Sequence, residues 1–374
     1  MSHLLVTNDF PPKVGGIQSY LYELWRRCDP DRFVVLTHDD PRAANFDAAQ
    51  PFRIERVPGK ILLPTASLRR RIDSLAASVG ASLVVLDPAL PLGVIGPSLA
   101  LPYALVLHGA EVTVPAHLAG LRGALSRTIG RAALVVAAGN YPKAEATRIT
   151  PSMPEFVLVP PGVDGARFTP ITAAEKSRAR ERFGLPKDGR LVVSVSRLVP
   201  RKGMDVLIEA AAALRPRFPD LRVAIGGRGR DEARLRRLIA RHQAPVTLLG
   251  YVADDDLPLL TAAADVWTML CRDRWFGLEQ EGFGIVFLEA AAAGIAVVAG
   301  SSGGAGDAVV EGVTGLVVDR PGDVVPATAA LAALLDDEAL RRRLGQAARR
   351  RATEEFDQGK LAARLFDALA LHGG

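Results

Sequence analysis

The feature that most constrains this chain is an alternation, run through twice, of short apolar segments with amphipathic ones. Residues 4–7, 34–37, 53–57, 83–86, 104–107 and 134–137 are β-branched or leucine-rich runs with the character of buried strands. Between them, residues 18–27, 67–79, 118–131 and 142–150 carry apolar side chains at helical spacing. The pattern restarts with apolar runs at 191–196, 222–225, 246–249, 266–270, 296–299 and 315–318. A strand that is apolar on both faces must be covered on both, so the alternation predicts parallel sheets layered between helices. Two series predict two such α/β domains, which 374 residues can accommodate.

The division between them is readable. Pro160-Pro161-Gly162-Val163-Asp164 is built from residues that end regular structure. We therefore expect a first domain over residues 1–165 and a second over 166–357. Residues 358–374 form a terminal helix expected to pack back on the first domain. After Asp323 the chain reads as mostly helical, with helices over 336–355 and 358–371. In doubly wound sheets, ligands bind beyond the carboxyl ends of the strands. A cleft between two such domains is expected, with its chemistry in the loops that follow strands.

Composition narrows the class. Hydrophobic residues at 49% and charged residues at 23% describe a globular chain. Two cysteines, Cys28 and Cys271, make no disulfide framework and suit a reducing cytosol. The first residues lack the basic region and cleavage site of a signal peptide. Residues 88–107 are uncharged over a length that could cross a bilayer. Prolines at 88, 91, 97 and 102 make them a loop, a short helix and a buried strand instead. The net charge of +5 is spread over both halves, which disfavours a nucleic-acid-binding surface. Locally, residues 51–80 hold six basic and two acidic side chains, so a basic patch lies there.

Three loops carry the chemistry. The first, Asn8-Asp9-Phe10-Pro11-Pro12-Lys13-Val14-Gly15-Gly16-Ile17-Gln18, leads from a strand to a helix. Gly15 and Gly16 fit either a tight turn or an anion site at the positive end of that helix. The loop is not G-x-G-x-x-G, and Asp39 after the second strand means little without that fingerprint, so a nicotinamide cofactor is disfavoured. The second, Arg197-Leu198-Val199-Pro200-Arg201-Lys202-Gly203, places Arg197 and Lys202 on either side of a proline. A guanidinium and an ammonium there suit phosphate oxygens better than a merely solvated loop does. The third, Glu281-Gly282-Phe283-Gly284-Ile285-Val286-Phe287-Leu288-Glu289, spaces two carboxylates as E-x7-E. Its second glutamate is set among apolar residues, where a carboxylate must find partners.

With these loops the chain resembles the retaining glycosyltransferases of the GT-B fold, which have two Rossmann-like domains and nucleotide-sugar donors. Within that group it is most similar to actinobacterial phosphatidylinositol mannosyltransferases, above all those adding the second mannose. The resemblance spans essentially the whole chain. It implies mannose transfer from GDP-mannose to a phosphatidylinositol mannoside-type lipid, with no cofactor beyond that substrate. It further implies that Arg197 and Lys202 hold the donor diphosphate, that Glu289 binds the ribose and that Glu281 binds the hydroxyls of the transferred sugar. Backbone groups from Gly282, Phe283, Gly284, Ile285 and Val286 complete the donor contacts, with Gly15 and Gly16 reaching the diphosphate. His108 matches the histidine beside the anomeric carbon, and Asp9 and Gln18 would face the acceptor. The run Ser302-Gly303-Gly304-Ala305-Gly306-Asp307 departs from the G-G-x-P-E common among relatives.

The implied chemistry is a front-face substitution in which the leaving phosphate takes the acceptor proton. Cations on the diphosphate then stabilise the charge that develops on departure. Asp254-Asp255-Asp256 contains a D-x-D pattern, but acids before a helix complement its positive end, and no metal is implied. A lipid acceptor would require reversible contact with an anionic membrane surface, for which Arg69, Arg70 and Arg71 beside Ile61-Leu62-Leu63 are candidates. The expected location is cytoplasmic, peripheral to the inner face of the membrane. Alternatives are another GT-B enzyme with a UDP-sugar or soluble acceptor, and a non-catalytic nucleotide- or polyanion-binding protein.

Overall fold

The computed structural model describes residues 2–373 and divides the chain into two compact units, Met1–Pro161 with Gln358–Gly374, and Gly162–Asp357. In the first unit, β1 (Ser2–Thr7), β2 (Phe33–His38), β3 (Arg53–Val57), β4 (Ala81–Asp87), β5 (Tyr103–Leu107), β6 (Leu134–Ala137) and β7 (Glu155–Leu158) form one parallel sheet. Its order is β3-β2-β1-β4-β5-β6-β7. Side chains alternate across it: Leu4 and Val6 pack with Ile72 on one face, and Leu5 packs with Trp25 and Leu361 on the other. The helix Gln358–His372 completes that second face with Leu361, Leu365 and Leu369.

The second unit repeats the plan with β8 (Leu191–Val195), β9 (Arg222–Gly226), β10 (Val246–Gly250), β11 (Val266–Met269), β12 (Ala296–Gly300) and β13 (Gly315–Val318). The order β10-β9-β8-β11-β12-β13 is again parallel throughout. Each sheet reverses its winding direction once, between β1 and β4 in the first and between β8 and β11 in the second. These are the topological switch points at which doubly wound sheets bind ligands.

Three details differ from the sequence reading. β7 is a strand that no apolar run announced, because it lies at the sheet edge with Glu155 and Phe156 exposed. The passage between units falls at Pro161, since Val163 N donates to Phe356 O at 2.8 Å and keeps residues 162–165 with the second unit. The end of the chain is three helices, Val324–Asp336, Glu338–Glu355 and Gln358–His372, because Asp337 interrupts the first pair by capping Leu340 N at 2.8 Å. Residues 88–107 form a proline turn, a 3-10 helix at Leu92–Ser98 and β5. Among the described residues no helix is long and apolar enough to cross a membrane.

Candidate active site

At the switch point of the second sheet, the loop after β8 meets the loop after β11. Gly203 closes the Pro-Arg-Lys-Gly turn in a left-handed conformation (φ 71°), and a Cβ there would stand 2.0 Å from Leu270 O. Only glycine lets this turn lie against the end of β11. The turn thereby buries Lys202 and delivers its Nζ to Glu281 Oε2 at 2.5 Å. Arg201 Nη1 donates to the same oxygen at 2.8 Å. Burial opposes the charge of Glu281, but these two cations outweigh it and hold its pKa below the usual carboxylate range. Both bonds fall on Oε2, so Oε1 has no partner among the described residues.

The backbone of Glu281 is held as firmly. Its N–H donates to Ser302 Oγ at 3.0 Å, Ser302 Oγ donates to Asp273 Oδ1 at 2.6 Å, and Gly304 N donates to Glu281 O at 3.0 Å. The Ser302–Gly304 segment is therefore the brace behind the first glutamate. The helix Ile285–Ala292 follows, with Gly284 as its N-cap in a left-handed conformation (φ 85°). Phe283 turns its side chain into the core against Phe356, at a ring distance of 5.8 Å, so only its backbone faces outward chemistry.

Glu289 sits in the second turn of that helix. The sequence leads one to expect partners for a carboxylate in apolar surroundings, yet this side chain is only partly exposed and accepts no hydrogen bond among the described residues. Burial raises its pKa to about 7, against a modest opposing pull from Arg167. Arg197 is exposed, and its guanidinium also has no partner among the described residues. The cationic pair assembled by the fold is thus Arg201 with Lys202, and Arg197 stands apart with its charge unspent.

In the first unit the switch point gathers a different group. Thr7 closes β1 and Asp87 closes β4, where the two are register partners. Asp87 is fully buried; its Oδ2 accepts from Thr7 Oγ1 at 2.6 Å, and its Oδ1 lies 2.5 Å from His108 Nε2. Burial works against a charged His108, but Asp87 prevails, with smaller help from Glu111 and Asp9, and the pKa rises to about 8. At neutral pH the imidazolium donates from Nε2 to Asp87, and Nδ1 has no partner among the described residues. Gln18 is buried and donates to Asp9 Oδ1, which also receives Lys13 Nζ at 2.7 Å.

Gly15 is the N-cap of the helix Gly16–Trp25, in extended backbone, and the Gln18 side chain folds over it. A Cβ on Gly16 would meet nothing within 4 Å, so packing does not require glycine at that position. Open space at a helix N-terminus is the geometry an anion needs. Arg167 takes Asp254 at 2.7 Å and Arg182 takes Asp256, so both ends of the D-x-D pattern carry arginine partners.

Two sheets with switch points so furnished are matched by known proteins. A phosphatidylinositol monomannoside mannosyltransferase of Mycobacterium tuberculosis, GDP-mannose-dependent by its name, is 38% identical over 382 residues, covering 98% of this chain and 97% of its own. The monoacylated-monomannoside enzyme of Corynebacterium glutamicum is 36% identical over 377 residues, covering 98% and 97%. This chain belongs to the phosphatidylinositol mannoside mannosyltransferase family of GT-B glycosyltransferases.

Residues 175–351 match the broader family described as Glycosyl transferases group 1. The fold of this mannosyltransferase is shared with Anabaena HepE crystallised with UDP, at a TM-score of 0.84, 21% identity and coverage of 99% and 100%. It is shared also with the sucrose-phosphate synthase of Thermosynechococcus elongatus, at 0.80, 21% and 99% of each chain. Sequence reasoning missed three residues that the mannosyltransferase fold assembles: Asp87, Arg201 and Ser302. Asp87 was signalled by a carboxylate ending the apolar run Leu83–Leu86, and Arg201 by its place between Pro200 and Lys202. No signal in the sequence marked Ser302.

Proposed function

We propose that this protein transfers mannose with retention from GDP-mannose to a phosphatidylinositol mannoside-type lipid. The observation that carries the reading is full-length similarity to enzymes named for that donor and acceptor, together with the E-x7-E loop and its cations. In this reading Lys202 and Arg197 bind the donor diphosphate, and their charges stabilise the departing GDP. Glu281 Oε1 accepts from hydroxyls of the mannose, while Oε2 keeps Lys202 and Arg201 in place. Glu289 accepts from the ribose hydroxyls, whose donors supply what the protein does not. The amides of Gly282, Gly284, Ile285 and Val286 complete the donor contacts, and Gly15 and Gly16 offer amides to the diphosphate. His108, charged and oriented by Asp87, acts at the transferred sugar, with Asp9 and Gln18 toward the acceptor. The deciding measurement is turnover of GDP-mannose against UDP-glucose with phosphatidylinositol monomannoside as acceptor, read by product mass and linkage. Preference for UDP-glucose, or no lipid product, overturns it.

A lipid acceptor requires the enzyme to work at a membrane surface, and we assign the first contact to the helix Ala66–Ser78 and the turn before it. Arg70 and Arg71 are exposed there, and Ile61 and Leu63 are half exposed, whereas Leu62 is buried and bonded through its backbone to Asn8. Arg69 pairs with Asp73 at 2.8 Å, and Arg71 approaches Glu55 at 3.9 Å, so Arg70 carries the least compensated charge. At about 1 kcal/mol per basic residue near an anionic surface, such a patch gives reversible, salt-sensitive association. Replacing Arg69, Arg70 and Arg71 by Ser should reduce sedimentation with anionic vesicles and leave GDP binding unchanged.

A further inference from the structure

The segment that joins β11 to Glu281 contains a feature the donor chemistry does not use. Arg274 and Glu279 form an isolated antiparallel bridge, with Arg274 N to Glu279 O at 3.0 Å and Glu279 N to Arg274 O at 3.2 Å. Between them Trp275-Phe276-Gly277-Leu278 makes a tight turn, closed by Gly277 N to Arg274 O at 3.1 Å and Leu278 N to Trp275 O at 3.2 Å. Trp275 and Phe276 both have positive φ, 51° and 56°. Such a conformation is rare for aromatic residues and strains the backbone at both. The side chains so displayed are in water: Phe276 is fully exposed, Trp275 is 59% exposed and Leu278 39%. Local strain and exposed apolar surface are both unfavourable to the isolated unit, so the gain must come from something the turn touches.

We propose that this turn is a lipid-contacting tip, by which the second unit rests on the bilayer that carries the acceptor. The proposal rests on the lipid-acceptor reading above. Three apolar side chains on one narrow turn offer far less than the roughly 800 Å² per partner that a stable protein interface buries, which excludes a second copy or a folded partner held by this turn alone. A bilayer needs no complementary shape, and tryptophan with phenylalanine partitions into its interfacial zone. The cations are placed to match anionic headgroups. The Arg274 guanidinium lies 4.9 Å from the Trp275 ring centre, and the well-exposed Arg230 stands 3.9 Å from Glu279. Of the two carboxylates at the base, Glu279 is compensated by Arg274 at 3.0 Å and by Arg201 and Arg230 at 3.9 Å, and Asp273 accepts from Gln280 Nε2 at 2.9 Å and Ser302 Oγ at 2.6 Å. Arg201 also holds Glu281, so the tip stands one ion pair away from the donor cations.

The protein carries its own reporter. Trp25 and Trp267 are fully buried, which makes Trp275 the tryptophan that iodide reaches. With vesicles of phosphatidylinositol and phosphatidylcholine, free of acceptor and donor, Trp275 emission should move to the blue and its iodide quenching fall several-fold. The double variant Trp275→Ser, Phe276→Ser removes only exposed side chains. It should bind those vesicles about tenfold more weakly, on the scale of losing two interfacial aromatics, and slow mannose transfer on vesicles while GDP affinity holds. Unchanged quenching of Trp275 in protein that pellets with vesicles, or no vesicle binding at all, overturns the proposal. Protection by GDP-mannose without lipid overturns it too, because the turn would then be a cover for the donor. Protection by vesicles in a protein that transfers no mannose to lipid would instead refute the functional reading and leave the tip standing.

Discussion

Glu281 and Glu289 begin and end one nine-residue motif, and the fold treats them in opposite ways. Glu281 receives two cations on one oxygen, has both backbone groups bonded to the 302–304 segment, and is held ionised below the usual range. Glu289 receives no hydrogen bond from the described residues, and burial carries its pKa to about 7. An oxygen that the protein has already satisfied, as Glu281 Oε2 is, belongs to its own framework, whereas Glu281 Oε1 and the Glu289 carboxylate are left by the described residues for other donors. On the proposed reading the motif is two devices: Glu281 sets the position of the cations and offers Oε1 to the sugar, and Glu289 is an acceptor whose donors arrive with the nucleotide.

That contrast can be broken by experiment. The largest effect is expected for Glu281→Ala, which leaves the buried Lys202 without its counter-charge and the partly buried Arg201 with only Glu279 at 3.9 Å. Removing one partner of such a cluster costs about 3–5 kcal/mol, measurable as a lower urea midpoint. A variant as stable as the parent would show that Glu281 is not part of the framework. Lys202→Ala should lower turnover roughly 10²–10³-fold, the scale for losing one charge that stabilises a leaving group. Steady-state rates with GDP-mannose decide it, and unchanged turnover takes Lys202 out of the mechanism.

Glu289→Gln tests the other half. The parent's pKa is raised above its unfolded value of 4.5, so the contribution of this group to stability is complete below 4.5 and declines as pH rises to about 7. At pH 8 the variant should be no less stable than the parent, and GDP affinity should fall roughly tenfold to hundredfold, as expected for hydrogen bonds to a charged acceptor. Loss of stability with intact GDP affinity would reverse the assignment. The smallest effect is a proton. At pH 6.5 Glu289 is mostly protonated, and ribose donors favour the carboxylate, so GDP binding should release a fraction of a proton. Calorimetry in buffers of different ionisation enthalpy reads it directly, and the dependence should vanish in Glu289→Gln.

Much of the fold was legible because parallel strands buried on both faces read as apolar runs, and all twelve expected segments coincide with strands, although two of them, β3 and β10, are edge strands that the structure leaves only partly buried. β7 escaped because an edge strand may carry Glu155 and leave Phe156 in water. The candidate site was legible where chemistry lies along the chain, as in Arg197 to Lys202 and Glu281 to Glu289. It was illegible where chemistry crosses the chain. Arg201 meets Glu281 across 80 residues, and Asp87 meets His108 only because β4 and β5 are neighbours. Glu289 was recognisable from its apolar neighbours, but that it lacks a partner is a fact of three dimensions.

The helix Gln358–His372 has a consequence for the order of events in the cell. Its Leu361, Leu365 and Leu369 complete the face that Leu5 and Trp25 begin, so the first unit is finished only after the whole second unit has been synthesised. The second unit is whole in sequence before that helix leaves the ribosome, and it can fold while the unit that began first is still open. A nascent chain therefore carries an uncovered apolar face through most of its synthesis. Truncation after residue 357 would make that temporary state permanent.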